Sequence, residues 1–134
     1  MTILAKNERQ LILYYDGTSE LGKKVRAHAE ASGAQLLPID ITETKVAATE
    51  WTEVAELLNC KVSELIATDH PVFKQTYGED NVNLDADDAL KVLEKNPETL
   101  VYPIAVRGQR AIRAKQSTDL RKLINPDTGD IPQP

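Results

Sequence analysis

The tightest constraint on the fold lies between Leu11 and Asp40, where the hydrophobic pattern changes period twice. Leu11-Ile12-Leu13-Tyr14-Tyr15 is an unbroken apolar and aromatic run, as expected of a central strand covered on both faces. Asp16-Gly17 is a turn pair that ends it. From Ser19 to Ser32 the pattern becomes helical, with Leu21, Val25, His28 and Ala29 at spacings of three and four. Thr18 or Ser19 caps its start, and Gly33 is suited to stop it. Ala34 to Asp40 then reads as a second strand, with Pro38 marking a sheet edge or the strand's end. Strand, helix, strand in this order predicts a right-handed crossover and a parallel pair.

The middle of the chain is helical. Trp51, Val54, Leu57 and Leu58 form one apolar stripe, and Val62, Leu65 and Ile66 another after a break near Asn59-Cys60. Pro71 opens a short helix through Tyr77, and Gly78 to Asn81 reads as a turn. Asp85 precedes a helix carrying Ala86, Ala89, Leu90 and Leu93, where its carboxylate can accept from first-turn amides. Asn96-Pro97 ends that helix. Two short strands, Pro103 to Arg107 and Arg110 to Arg113, are joined by Gly108-Gln109, a pair suited to a tight hairpin. A last helix is expected over Asp119 to Ile124. The sequence predicts an α/β chain with a mixed sheet of about four strands, a single domain over residues 1–125, and a flexible tail over 126–134.

Composition narrows the function. A formal charge of −5 argues against a general nucleic-acid or membrane-surface binder, since both usually carry a basic excess. Cys60 is the only cysteine, and His28 and His70 are the only histidines, so no internal disulfide forms and a Cys/His zinc site is not expected. The first residues lack the sustained apolar run of a signal peptide and no segment is long enough to span a bilayer, which makes the cytoplasm the expected location. The acidic trio Asp85, Asp87 and Asp88 lacks the glycine and distal glutamate of a calcium loop. Neither a metal nor a cofactor is expected, and the sequence leaves the oligomeric state open.

Three stretches carry a resemblance. They are LYYDGTSELGKKVR (Leu13 to Arg26), ALKVLEKNPETLVYPIAVRG (Ala89 to Gly108) and GQRAIRA (Gly108 to Ala114). In order and spacing they resemble the strand, corner and first helix, the later helix with its Pro-Ile strand, and the hairpin of the ArsC/Spx family. That is the arsenate-reductase-like branch of thioredoxin-fold proteins. The resemblance covers Leu11 to Ile124 and implies a thioredoxin-like fold with a helical insertion. It places the family's nucleophilic cysteine at Ser19 and the second cysteine of its redox-switch members at Gly22. Lys23 stands where many relatives have arginine, Tyr102 where an oxyanion-holding arginine precedes the proline, and Arg113 where an anion-binding arginine is expected. It also implies a cis Tyr102–Pro103 bond beside the corner.

The chemistry follows from these residues. A thiol enzyme needs a thiolate at the helix start, where the dipole and nearby cations lower its pKa. The Ser19 hydroxyl would instead need a general base, and Asp16 is the only close candidate; a helix cap is its simpler role. Cys60, beside an apolar stripe, reads as a small buried hydrophobe. Corners of this kind bind anions through free amides, here Ser19 to Gly22, and Lys23, Lys24 and Arg113 could add to the field, although exposed lysines at a helix start need no ligand. Arg107, Arg110 and Arg113 could share one face of the hairpin and receive an acidic partner segment, or form a solvated basic strand.

The expected function is therefore a redox-inactive ArsC/Spx-like pseudoenzyme acting by binding. The resemblance implies a protein partner in an Spx-like adaptor role, or a small anion, without direct nucleic-acid or membrane binding. The candidate face is Thr18, Ser19, Lys23, Tyr102, Pro103, Arg110 and Arg113, and no residue is expected to be catalytic. The alternative is a thiol-dependent oxidoreductase of the arsenate reductase or glutaredoxin-like type.

Overall fold

The computed structural model describes residues 10–67, 70–77 and 85–124. The expected turn at 78–81 and the tail after Ile124 lie outside them. Four strands, β1 (Leu11–Tyr15), β2 (Leu36–Asp40), β3 (Ile104–Arg107) and β4 (Arg110–Arg113), form one sheet in the order β2-β1-β3-β4. β1 pairs parallel with β2 and antiparallel with β3, and β3 pairs antiparallel with β4. The helices are α1 (Glu20–Ala31), α2 (Ala48–Leu57), α3 (Pro71–Tyr77) and α4 (Ala86–Lys95).

The unbroken run in β1 has the cause its composition suggests: all five residues are buried, and successive side chains enter different cores. Leu11, Leu13 and Tyr15 join Ala105 of β3 beneath α1, whose Val25 and Ala29 are buried, and beneath Leu120 and Leu123 of the final turns. Ile12 and Tyr14 join Ile104 and Val106 on the other face, under Trp51 and Val54 of α2 and Ala89, Val92 and Leu93 of α4. Tyr14 is fully buried. Its hydroxyl donates to the Glu50 carboxylate at 2.5 Å, and its ring lies 5.6 Å from that of Trp51. Burial, with Glu50 beside it, holds the Tyr14 hydroxyl far above its ordinary pKa.

Several local expectations are met residue by residue. Pro38 sits on an edge strand, Gly33 has φ +82° past the end of α1, and the Asp85 carboxylate accepts from Asp88 N–H at 2.8 Å at the start of α4. Others are revised. Val62–Leu65 is a single 3-10 turn, preceded by Asn59 at φ +60°; that left-handed residue reverses the chain after α2. The last helix begins earlier than expected, as a 3-10 turn over Ser117–Leu120, because the Asp119 carboxylate accepts from Lys115 and Gln116 N–H and closes the turn there.

A strand-to-helix corner and its neighbours

The C-terminal end of β1 delivers the chain into the corner. Thr18 N–H and Oγ1 both donate to Asp16 Oδ1, at 2.8 and 2.6 Å, an Asx-type turn in which a side chain replaces backbone as acceptor. Ser19 is the N-cap of α1: its Oγ accepts from Gly22 N–H at 2.8 Å and donates to the Asp16 carbonyl at 3.1 Å. Ser19 N–H also donates to that carbonyl at 3.1 Å. Lys23 N–H makes the first regular helical bond, to the Ser19 carbonyl, and the Lys23 side chain is exposed. Of the amides expected to be free, only those of Glu20 and Leu21 lack an acceptor among the described residues.

A second carboxylate closes the corner from β2. Asp40 Oδ1 accepts from Gly17 N–H at 3.1 Å and from Thr42 N–H and Oγ1 at 3.0 and 2.6 Å. Burial by itself raises the Asp40 pKa, but the Thr42 and Gly17 donors, together with the Arg26 charge, outweigh it and hold the carboxyl below its ordinary range. Sequence reasoning missed Asp40, which lies 23 positions from Gly17; the Asp-x-Thr spacing that builds its turn was its one local signal.

Gly22 is where the corner departs most from a thiol site. A Cβ there would stand 2.2 Å from the Asp16 carbonyl oxygen and 2.8 Å from Ser19 Oγ. The position that the resemblance assigns to a second cysteine has no space for a side chain of any kind.

Pairing places the other candidates. Ile104 lies opposite Tyr14 and Arg113 opposite Ile104, so Tyr102, Pro103 and Arg113 sit at the same end of the sheet as Ser19. The described residues contain no cis peptide bond, so the implied cis form at Tyr102–Pro103 is not adopted. Trans is the lower-energy form by about 0.5–1 kcal/mol, and in this arrangement Ala114 N–H reaches the Pro103 carbonyl at 2.8 Å. The half-buried Tyr102 ring lies 5.8 Å from Lys115 Nζ.

Arg110 does not join them. It pairs with Arg107 across from Leu11, at the far end of the sheet, about 10 Å along the strand from Arg113. Nor do the three arginines share a face. Arg107 and Arg110 are direct cross-strand neighbours on the α1 side, where Arg107 Nη1 donates to the Leu123 carbonyl at 3.3 Å. Arg113, three residues beyond Arg110, falls on the opposite side by the two-residue period of the strand. There it acts on Cys60, which packs half-buried against the α2 core. Burial raises the Cys60 pKa, the Arg113 charge opposes this, and Glu64 adds to the rise.

The parallel β1–α1–β2 unit, the antiparallel β3–β4 hairpin and the helical segment between them define an arsenate-reductase-like, thioredoxin-like fold. Solved structures share it at low identity. An arsenate reductase from Vibrio cholerae is 16% identical, with 87% of this chain and 98% of that chain covered and a TM-score of 0.72. A Yersinia pestis protein ascribed to the arsenate reductases gives 17%, 84%, 98% and 0.73. One ascribed to the ArsC-related proteins of Bacteroides fragilis gives 13%, 87%, 99% and 0.71. No family profile and no curated protein sequence matches the chain. No helix among the described residues is long and apolar enough to cross a membrane.

Proposed function

We propose that this protein is a redox-silent, Spx-like pseudoenzyme on the ArsC scaffold, working in the cytoplasm by binding a protein partner. The observation that carries this reading is the commitment of Ser19 Oγ to Gly22 N–H, at the position where the resemblance puts a nucleophile. A hydroxyl engaged as a cap, with no histidine nearby in sequence to take its proton, is a poor nucleophile. The only sulfur nucleophile in the chain is Cys60, and its raised pKa lowers the thiolate fraction. A small anion at the corner is disfavoured, because Ser19 N–H and Gly22 N–H, two of the four amides that such a ligand would use, already donate to the Asp16 carbonyl and to Ser19 Oγ, and the Asp16 and Asp40 carboxylates stand beside the corner.

The test is arsenate turnover with thiol and glutaredoxin, on the intact chain and on Ser19→Cys. The expected result is no turnover by the intact chain. Turnover by it would establish the alternative, a thiol-dependent oxidoreductase. Activity confined to Ser19→Cys would mark Ser19 as a lost nucleophile position.

A further inference from the structure

The two edges of the sheet are finished differently. Among the described residues, β2 and β4 each have a neighbouring strand on one side only. Leu11 N–H donates to the Gln35 carbonyl and Ile41 N–H to that of Tyr15. Odd-numbered residues of β2 therefore face β1, while Leu36, Pro38 and Asp40 turn their backbone outward. Pro38 has no amide hydrogen, and the Asp40 carbonyl accepts from Glu43 and Thr44 N–H at 3.0 and 2.8 Å. This edge is blunted against strand addition.

The β4 edge is not. Arg107 and Arg110 flank the two-residue hairpin loop, and Ala114 N–H donates to the Pro103 carbonyl. Arg110, Ile112 and Ala114 thus spend their backbone groups on the β3 side. Ala111 and Arg113 alternate with them and point N–H and C=O outward, where no partner stands among the described residues. Arg110 is exposed and Arg113 half-exposed, and neither has a carboxylate in ion-pairing range among the described residues. This holds in a chain where 21 acidic residues outnumber 16 lysines and arginines. Half-buried Ile112 shares the face of Arg110.

We propose that the outer edge of β4 is a docking strand for an extended acidic segment of a partner protein. The segment adds to the sheet through the backbone of Ala111 and Arg113 and carries two carboxylates three residues apart. The spacing follows from the pleat: residues of an added strand that lie opposite Arg110 and Arg113 are three positions apart and on opposite faces, whichever way the strand runs. Main-chain bonds supply affinity, and the carboxylates select the register. A nucleic acid would satisfy the arginines but has no peptide groups to pair with the ladder. This inference rests on the protein-binding reading and adds the surface and the chemistry of the partner.

The experiment titrates three end-capped peptides into the 15N-labelled full-length chain at low salt. The first contains Asp-Val-Thr-Asp, the second has the same composition with its aspartates adjacent, and the third is the first peptide with N-methyl groups on its leading aspartate and on its threonine. The expected result is amide shifts at Ala111 and Arg113 with the first peptide and about tenfold weaker binding of the other two. Arg110→Ala and Arg113→Ala should each weaken binding by up to about fivefold, and exposed Arg110 makes the first a safe variant for folding.

Equal binding of all three peptides would overturn the proposal, as would shifts confined to Ser19–Gly22. So would shifts at Asp127 and Asp130 caused by Arg113→Ala without peptide, since the chain's own last residues would then hold the edge. Self-association lost on Arg113→Ala would give the edge to a second copy and equally end the proposal. Turnover in the arsenate assay would defeat the non-catalytic reading alone, whereas failure of the peptide series would defeat the docking strand alone.

Discussion

The corner at Ser19 and the outer edge of β4 treat their polar groups in opposite ways. At the corner, the amides of Gly17, Thr18, Ser19 and Gly22 are satisfied from within, by the Asp16 and Asp40 carboxylates, the Asp16 carbonyl and Ser19 Oγ. Along β4, the backbone of Ala111 and Arg113 faces outward between two arginines without carboxylate partners among the described residues. The corner is where the resemblance puts a thiol's chemistry, and here all but the Glu20 and Leu21 amides are taken up within the chain among the described residues. The proposed docking strand lies where backbone groups remain unspent, and a shared fold does not by itself locate a working surface.

The contrast can be broken most forcefully at Gly22. Gly22→Cys places a side chain against the Asp16 carbonyl, and we expect a loss of about 2 kcal/mol in urea unfolding, the overpacking cost less a small gain in helix propensity. Unchanged stability would mean that the corner yields easily and could house a thiol pair. Ser19→Ala removes the cap and should cost about 1 kcal/mol by the same measurement; no loss would show that Ser19 Oγ is available for another role.

Asp40→Asn probes the corner through pH. The folded Asp40 pKa lies below the ordinary value, so its stabilisation is complete above the unfolded value of about 3.9 and fades as pH falls through the folded one. The variant should therefore be less stable than the parent at neutral pH, with the gap closing in acid; a constant gap would remove the charge from the explanation. The smallest effect belongs to the other region. Arg110→Ala should change stability by less than about 0.5 kcal/mol, and a larger loss would make Arg110 a structural residue rather than a spare cation.

Much of the fold was legible because its signals are local. The run Leu11 to Tyr15, the cap at Ser19, the stop at Gly33, the cap at Asp85 and the break at Asn96-Pro97 each depend on a few neighbouring residues, and each is in place. The site was less legible because its decisive contacts are not local. The void that Gly22 must leave depends on where the Asp16 carbonyl lands, and the closure at Gly17 comes from another strand. The arginines are an intermediate case. A two-residue loop pairs Arg107 with Arg110, and three further steps change the face, so Gly108-Gln109 already contained the register that separates Arg113 from the other two.

Pro38 has one further effect. Filament growth by strand addition needs two receptive edges on each molecule, so that every newcomer offers a fresh one to the next. With β2 closed, a strand that joins at β4 leaves no successor site on the other side of the sheet. Under the proposed docking at β4, assembly through this sheet would end at a single guest, and the exposed strand would not make the molecule the seed of a polymer.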